Sequence, residues 1–174
     1  RKDIDKRPTL LKPDDAKKLL AAAGYPSGFE VTLDCPNDRY VNDEKICQAV
    51  VGMLARIGVK INLRAQTRLK YFAQILLPKA DTSFWMLGWS PAATFDVHDV
   101  FINLIQTPNA QTKKGQFNPG SYSNPKFDEL ADKVQVETDV KKRNAMIAEA
   151  TKIYVNDYAY IPLHQQAVIW AARK

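Results

Sequence analysis

The chain has 174 residues, 45% of them hydrophobic and 25% charged, which is enough apolar material for one domain with one core. No apolar run in it approaches the roughly 18 residues that a membrane-spanning helix requires. The net charge of +6 arises from basic residues scattered among 19 acidic ones, a mixed pattern that argues against a nucleic-acid-binding surface.

The N-terminal residues lack the apolar segment of a secretory signal peptide, and residue 1 is Arg rather than Met. We therefore expect residues 1–174 to form a single domain cut from a longer protein. A signal peptide, if the protein has one, would then lie outside this segment.

The first half of the chain has the pattern of a strand–helix–strand unit. Residues 29–33 and 59–63 alternate between apolar and polar, as half-buried strands do. The helix between them should be capped by Asn42, and its apolar stripe comprises Ile46, Val50, Met53, Leu54 and Ile57. Further helices are predicted over residues 13–23 and 69–77. A βαβ unit implies parallel strands, so we predict an α/β fold: a mixed sheet with flanking helices.

An apolar and aromatic run over residues 83–87 predicts a central strand buried on both faces. Gly88 permits a close approach, and Pro91 cannot continue a strand. Trp89 is thus presented where a central strand ends, which is where ligands gather in open α/β sheets. The same pattern also fits a large core residue that covers the sheet.

The second half is predicted to be mainly helical. Asn124 and Pro125 have the residue types of an N-cap and a first helical position. The predicted elements are helical turns over 99–104, a long surface loop over 107–125, helices from 125 and over 140–155, and strands over 159–163 and 168–171.

The sequence contains none of the usual nucleophile, phosphate-loop, dinucleotide or zinc-protease motifs, so we expect neither an enzyme nor a cofactor. His98 and His164 are too few to define a metal site. The cluster of Asp96, His98 and Asp99 could bind a metal or could cap a helix. Cys35 and Cys47, twelve residues apart, could be paired or be two buried thiols.

Arg39 and Tyr40 lie in the loop that follows the first predicted strand, near the expected position of Trp89 if the strands are parallel. A guanidinium there could hold a carboxylate through two hydrogen bonds. A solvated loop arginine is the alternative reading.

Several stretches of the chain, taken together and in order, resemble the C-terminal half of ABC-transporter solute-binding proteins of the dipeptide, oligopeptide and nickel class. These stretches are DAKKLLAAAGYPSGF (15–29), PNDRY (36–40), MLARIGVKI (53–61), LGW (87–89), YSNP (122–125), Asp139 with Arg143, and IPLHQ (161–165).

The resemblance implies one lobe of a type II periplasmic-binding-protein fold, in which two lobes close on a ligand. It implies that Trp89 lines the ligand pocket. The acidic residue that holds a peptide amine in this class, three positions after the tryptophan, is replaced by Ala92, and Asp96 is a candidate substitute. Lys45 is the nearest match to a basic residue that holds the peptide carboxylate in some members.

These features predict a non-enzymatic protein that captures a peptide or another small polar ligand for the permease of an ABC importer. We expect a monomer in the bacterial periplasm or at the cell surface, with no metal and no nucleic acid bound. The ligand-binding candidates are Trp89, Asp96, Arg39, Tyr40 and Lys45. A sensor lobe of a transcriptional regulator and a nickel or metal-chelate binder are the alternatives.

Overall fold

The computed structural model describes residues 12–76, 82–91 and 94–166. The chain divides into two compact units, residues 1–88 and 89–174, which are described separately below. The prediction of a single domain that is cut from a longer protein stays a prediction. Among the described residues, no helix is both long enough and apolar enough to cross a membrane.

The first unit is built on the predicted βαβ motif. Its elements are α1 (Pro13–Ala22), β1 (Glu30–Pro36), α2 (Asp43–Ala55), β2 (Lys60–Gln66) and α3 (Arg68–Ile75). The two strands are parallel and in register from Glu30 opposite Lys60 to Pro36 opposite Gln66. Each strand continues beyond its predicted end, because the alternating pattern defines the face of a strand better than its bounds. The prediction of parallel strands around a connecting helix is confirmed.

The core of the first unit lies between β1 and α2. Leu33, Cys35 and Cys47 are buried there. The partly buried side chains packed against them come from α2, from β2 and from the segment before Gly88: Val50, Ile61, Leu63, Phe84 and Met86. Val50 of the predicted helix stripe therefore meets Leu33 of the predicted strand face in this cluster. Met53 of the stripe and Phe29 of the strand face are exposed instead, at 62% and 39%.

The predicted central strand over residues 83–87 is wrong in extent and in burial. Only Trp85 pairs with β1, in a parallel bridge to Asp34. Asp34 N–H donates to Phe84 O, and Met86 N–H donates to Asp34 O. The segment is half-buried, and β1 lies between it and β2. The apolar character of the run reflects packing on one side of β1, not a position at the centre of a sheet.

The second unit is helical. It contains α4 (Val97–Val100), which continues as a π-helical turn over Phe101–Ile105, then α5 (Pro125–Val136) and α6 (Val140–Asn156). Asn124 caps α5 as predicted, since its side chain accepts from the N–H groups of Lys126 and Phe127. Buried Phe101 and Phe127, with ring centroids 5.2 Å apart, form the centre of its core.

The strand predicted over residues 159–163 is also wrong. This stretch has no regular structure, and Pro162 lacks the N–H group that a strand would use. Tyr160 instead donates its hydroxyl to Leu104 O over 2.9 Å. The strand predicted over 168–171 lies outside the described residues.

Candidate functional site

The loop between β1 and α2 is organised by the buried carboxylate of Asp43. Its Oδ2 accepts from the N–H groups of Arg39 and Tyr40, and its Oδ1 accepts from the N–H of Glu44. Burial opposes ionisation, but these backbone donors outweigh it and hold the pKa of Asp43 below its ordinary value. Asn42 was expected to cap α2; it makes no side-chain cap, and its φ of 59° is left-handed. Asp43 makes these bonds to the start of α2 and the preceding loop instead.

Tyr40, a predicted ligand contact, binds the main chain. Its hydroxyl donates to Gly88 O over 3.0 Å. Burial raises the pKa of Tyr40 despite this bond. The Arg39 guanidinium lies over the Tyr40 ring, 5.1 Å from the ring centroid, in cation–π geometry. The close approach expected at Gly88 is therefore made by an aromatic side chain of the same unit.

The two cysteines fix the same loop at both ends. Cys35 in β1 and Cys47 in α2 form a disulfide. Both are buried, at 0% and 1% exposure, and Cys47 Sγ lies 3.7 Å from Met86 Sδ. This decides between the two alternatives that the sequence left open. Lys45 lies inside this covalent loop, in the first turn of α2, and is exposed.

The indole of Trp89, in the second unit, makes one hydrogen bond through its N–H group and one aromatic contact through its ring. The Nε1–H group donates to Asp99 Oδ2 over 2.7 Å. The ring lies against Phe117, with centroids 4.8 Å apart and planes tilted by 56°. Trp89 remains partly exposed, so it is neither a fully buried core residue nor a free side chain.

Asp96 is engaged on two sides. Its Oδ1 accepts from His98 N–H over 2.8 Å, which caps α4. Arg143 on α6 donates through Nη2 to the same carboxylate over 2.9 Å. The Arg143 bond, and then the His98 N–H, hold the pKa of Asp96 below its ordinary value. The helix-cap reading of this cluster is thus confirmed, while burial lowers the pKa of His98.

The predicted site residues fall into two groups. Arg39, Tyr40 and Lys45 belong to the loop and helix start of the first unit, whereas Trp89 and Asp96 belong to the second. Within the second unit, Trp89 and Asp96 bind different partners. Ala92 lies outside the described residues.

Sequence reasoning missed Phe117 as a contact of Trp89 and missed the bond from Trp89 to Asp99. Phe117 comes from the loop over residues 107–124, which returns to the π-helical turn through bonds from Gly115 N–H to Ile102 O and from Phe117 N–H to Asn103 O. The position of Asp99 in the cluster after Trp89 was the one available signal. In the part of the chain that the structure describes, no group of three or more His, Cys, Asp or Glu could hold a metal ion.

Residues 2–113 match the family model of the bacterial extracellular solute-binding proteins, family 5, middle region. The match covers more than half of the chain, so the protein belongs to this family. The fold of the described residues agrees with one lobe of a type II periplasmic binding protein. Both predictions drawn from the resemblance are therefore confirmed.

Individual relatives span a much longer sequence. The chain is 28% identical over 166 residues to the glutathione-binding protein GsiB of Pectobacterium atrosepticum, covering 93% of this chain and 31% of that protein. It superposes on the periplasmic binding protein DppA of Helicobacter pylori, in complex with the peptide STSA, with a TM-score of 0.77 and 26% identity, covering 90% of this chain and 29% of that one. NikA of Staphylococcus aureus, in complex with Ni(L-His)2, shares the fold at a TM-score of 0.72 and 20% identity, covering 88% of this chain and 32% of that one. The chain spans about a third of the length of the curated relatives it matches.

Proposed function

We propose that the chain is part of a solute-binding protein that captures a peptide or a similar small polar solute for the permease of an ABC importer. The observation that carries this proposal is the family match over residues 2–113. The protein would act in the periplasm or at the cell surface, as a monomer without catalysis. The ligand would bind in a cleft between this lobe and one outside residues 1–174.

The peptide-like character of the ligand is supported by the relatives. One is named for glutathione, a modified tripeptide, and another was solved with a tetrapeptide. Extended peptides are bound largely through main-chain hydrogen bonds, so side-chain contacts contribute only part of the recognition.

Trp89 is the proposed apolar wall of the site. Its Nε1–H is already donated to Asp99, which leaves the ring surface, not the edge, for a ligand. A tryptophan that is already held in a fixed orientation gives a ligand a large contact area. Binding then loses little conformational entropy, because this side chain does not have to be ordered. Partial exposure of the ring is consistent with this role.

Arg39 and Lys45 are the proposed cationic contacts, because both are exposed and both are carried by the disulfide-closed segment. A ligand carboxylate is the group that they would hold. Tyr40 and Asp96 are proposed to shape the site through the bonds they already make to Gly88 and Arg143.

The test uses the full-length gene product and isothermal titration calorimetry with reduced glutathione and with Ser-Thr-Ser-Ala. We expect Trp89→Ala to weaken binding of whichever probe binds by on the order of tenfold or more. Tyr158→Ala, which removes an aromatic side chain that is 84% exposed and outside the proposed site, is the matched control.

Unchanged affinity of the Trp89→Ala protein would remove Trp89 from the site. Heat on addition of Ni(II) with histidine, and none with either peptide, would replace the proposed ligand class with a metal chelate. If no probe binds to a protein that circular dichroism shows to be folded, peptide capture is wrong.

A further inference from the structure

The carboxylate of Asp99 accepts a hydrogen bond from the indole of the proposed binding residue Trp89. Its Oδ2 lies 2.7 Å from Trp89 Nε1. Its Oδ1 lies 3.2 Å from Asn103 Nδ2, which also donates to Asp99 O over 2.8 Å. One carboxylate therefore joins the indole edge to the π-helical turn one helical turn further along.

We propose that Asp99 is a positioning residue, which fixes the indole plane of Trp89 and is itself oriented by Asn103. The inference rests on the proposed function, because it deepens the role given there to Trp89. Asp99 does not contact the ligand in this proposal.

Two fixed points are needed to set the orientation of an indole ring, and the structure supplies both. Phe117 supports the ring, with centroids 4.8 Å apart, but a tilted aromatic contact permits sliding and rotation. The bond to Asp99 removes this freedom, because an N–H donor and a charged acceptor form a short and directional bond. Neither partner alone would define the orientation of the ring.

Asp99 lies in regular helical structure. It belongs to α4, whose start is capped by Asp96, and the π-helical turn follows directly. The loop that carries Phe117 is bonded to this turn through Phe117 N–H and Asn103 O at 2.9 Å. Asn103 is thus linked to both supports of the indole: its side chain holds Asp99, and its carbonyl oxygen holds the backbone of Phe117.

This arrangement also restricts what Trp89 can offer a ligand. An indole whose N–H is donated to a carboxylate has no donor left for a ligand carbonyl. The ring surface remains, which favours apolar groups, planar amide groups and cations as contacts.

The first readout is the indole N–H resonance of Trp89 in the full-length protein labelled with 15N-tryptophan, assigned by its loss in Trp89→Phe. We expect Asp99→Leu to move this resonance upfield and to speed its exchange with solvent. Asp99→Asn keeps an oxygen acceptor, so its upfield shift and its increase in exchange rate should both be smaller. A resonance that is unchanged in Asp99→Leu would overturn the proposal.

The second readout is calorimetry with reduced glutathione and Ser-Thr-Ser-Ala. We expect Asp99→Leu to weaken binding roughly tenfold, as for loss of one charge-assisted hydrogen bond, and Asp99→Asn to restore part of the affinity. Asp139→Leu is the matched control: this carboxylate of the same unit accepts from Lys142 N–H over 2.9 Å at the start of α6, outside the loop that carries Phe117. It should not move the Trp89 resonance.

The outcomes separate this inference from the function on which it rests. Loss of binding in Trp89→Ala together with full binding in Asp99→Leu would overturn the positioning role and leave the proposed function intact. Equal losses in Asp99→Leu and Asp139→Leu would show a general effect on stability, and would also overturn it. Unchanged binding in Trp89→Ala would overturn the proposed Trp89 contact itself.

Discussion

Gly88 has no Cβ atom, and the Cβ atom of any other residue at this position would meet the aromatic ring of Tyr40. A Cβ there would lie 2.8 Å from Tyr40 Cε1 and 3.0 Å from Cδ1. The ring cannot simply turn away, because its hydroxyl donates to Gly88 O. The identity of residue 88 is thus determined by the packing of Tyr40.

We expect Gly88→Ala to lower the free energy of unfolding by roughly 1–3 kcal/mol, the usual range for overpacking. Urea denaturation measures this. Gly52, in α2 with nothing within 4 Å of its would-be Cβ, is the matched control. Gly52→Ala should stabilise by up to about 1 kcal/mol, since alanine is the better helix former. Equal effects of both substitutions would contradict the proposed clash.

The Asp43 carboxylate gives a second test at the scale of single residues. The pKa of Asp43 is lowered in the folded protein, so the ionised carboxylate stabilises the fold. This stabilisation is fully present above the pKa of the unfolded chain, and it is lost as pH falls through the lower pKa of the folded protein. We expect Asp43→Asn to cost roughly 1–2 kcal/mol near pH 7, as for loss of a helix cap, and less below about pH 4.

The measurement is urea unfolding between pH 7 and pH 3. Asp15→Asn is the control, because that side chain is 49% exposed and Lys18 Nζ lies 3.9 Å from its Oδ1. Such pairs contribute between 0 and about 1 kcal/mol. If Asp43→Asn lowers the free energy of unfolding by the same amount down to pH 3, the loss does not come from the lowered pKa of Asp43.

At the scale of elements, the disulfide joins β1 to α2 across the loop that carries Arg39. We expect Cys35→Ala with Cys47→Ala, or full reduction, to lower the free energy of unfolding by about 3 kcal/mol, the value for a loop of this length. Denaturant unfolding with and without reductant measures the loss. Two thiols that titrate freely in the denatured, non-reduced protein would exclude the bond.

The elements that could be predicted are those whose signal lies within their own residues. The apolar stripe of α2, the alternation in β1 and β2, and the cap of α5 at Asn124 are local patterns. Each is present in the structure, except that Met53 of the stripe is 62% exposed. The strands placed at 83–87 and 159–163 failed because pairing depends on a partner elsewhere in the chain. A short apolar run is found both in strands and in irregular segments that pack against a strand on one face.

The candidate site was predictable only in part. Gly88 and the apolar run before it made Trp89 a candidate, and its contact with a ligand stays a prediction. Its bond to Asp99 joins side chains ten positions apart in the sequence, and its contact with Phe117 depends on a loop that is closed by main-chain hydrogen bonds. Neither leaves a spacing that sequence analysis can detect. The disulfide was undecided because a sequence separation of twelve residues permits but does not require it.

At the scale of the whole molecule, the chain spans about a third of the length of its curated relatives, and the proposed site needs a second lobe. In that proposal, domain closure would bring the second lobe onto a ligand that would otherwise stay open to solvent on one side. We expect residues 1–174 alone to bind any probe at least roughly tenfold more weakly than the full-length protein, measured by calorimetry. Equal affinities would show that the site is complete within the chain.

The bridge between Asp34 and Trp85 has a consequence for amide hydrogen exchange. The N–H of Asp34 is donated to Phe84 O, and the residue is 1% exposed, between two neighbouring segments of chain. Its proton is held by an acceptor in the outer segment, so it exchanges when that segment separates from β1. Phe84 and Met86 of that segment pack on the core of the first unit, so we expect it to separate only when the unit opens cooperatively, and this amide to be among the last in the unit to take up deuterium. Rapid exchange at Asp34, with slow exchange at Leu33, would show that the segment before Gly88 opens on its own.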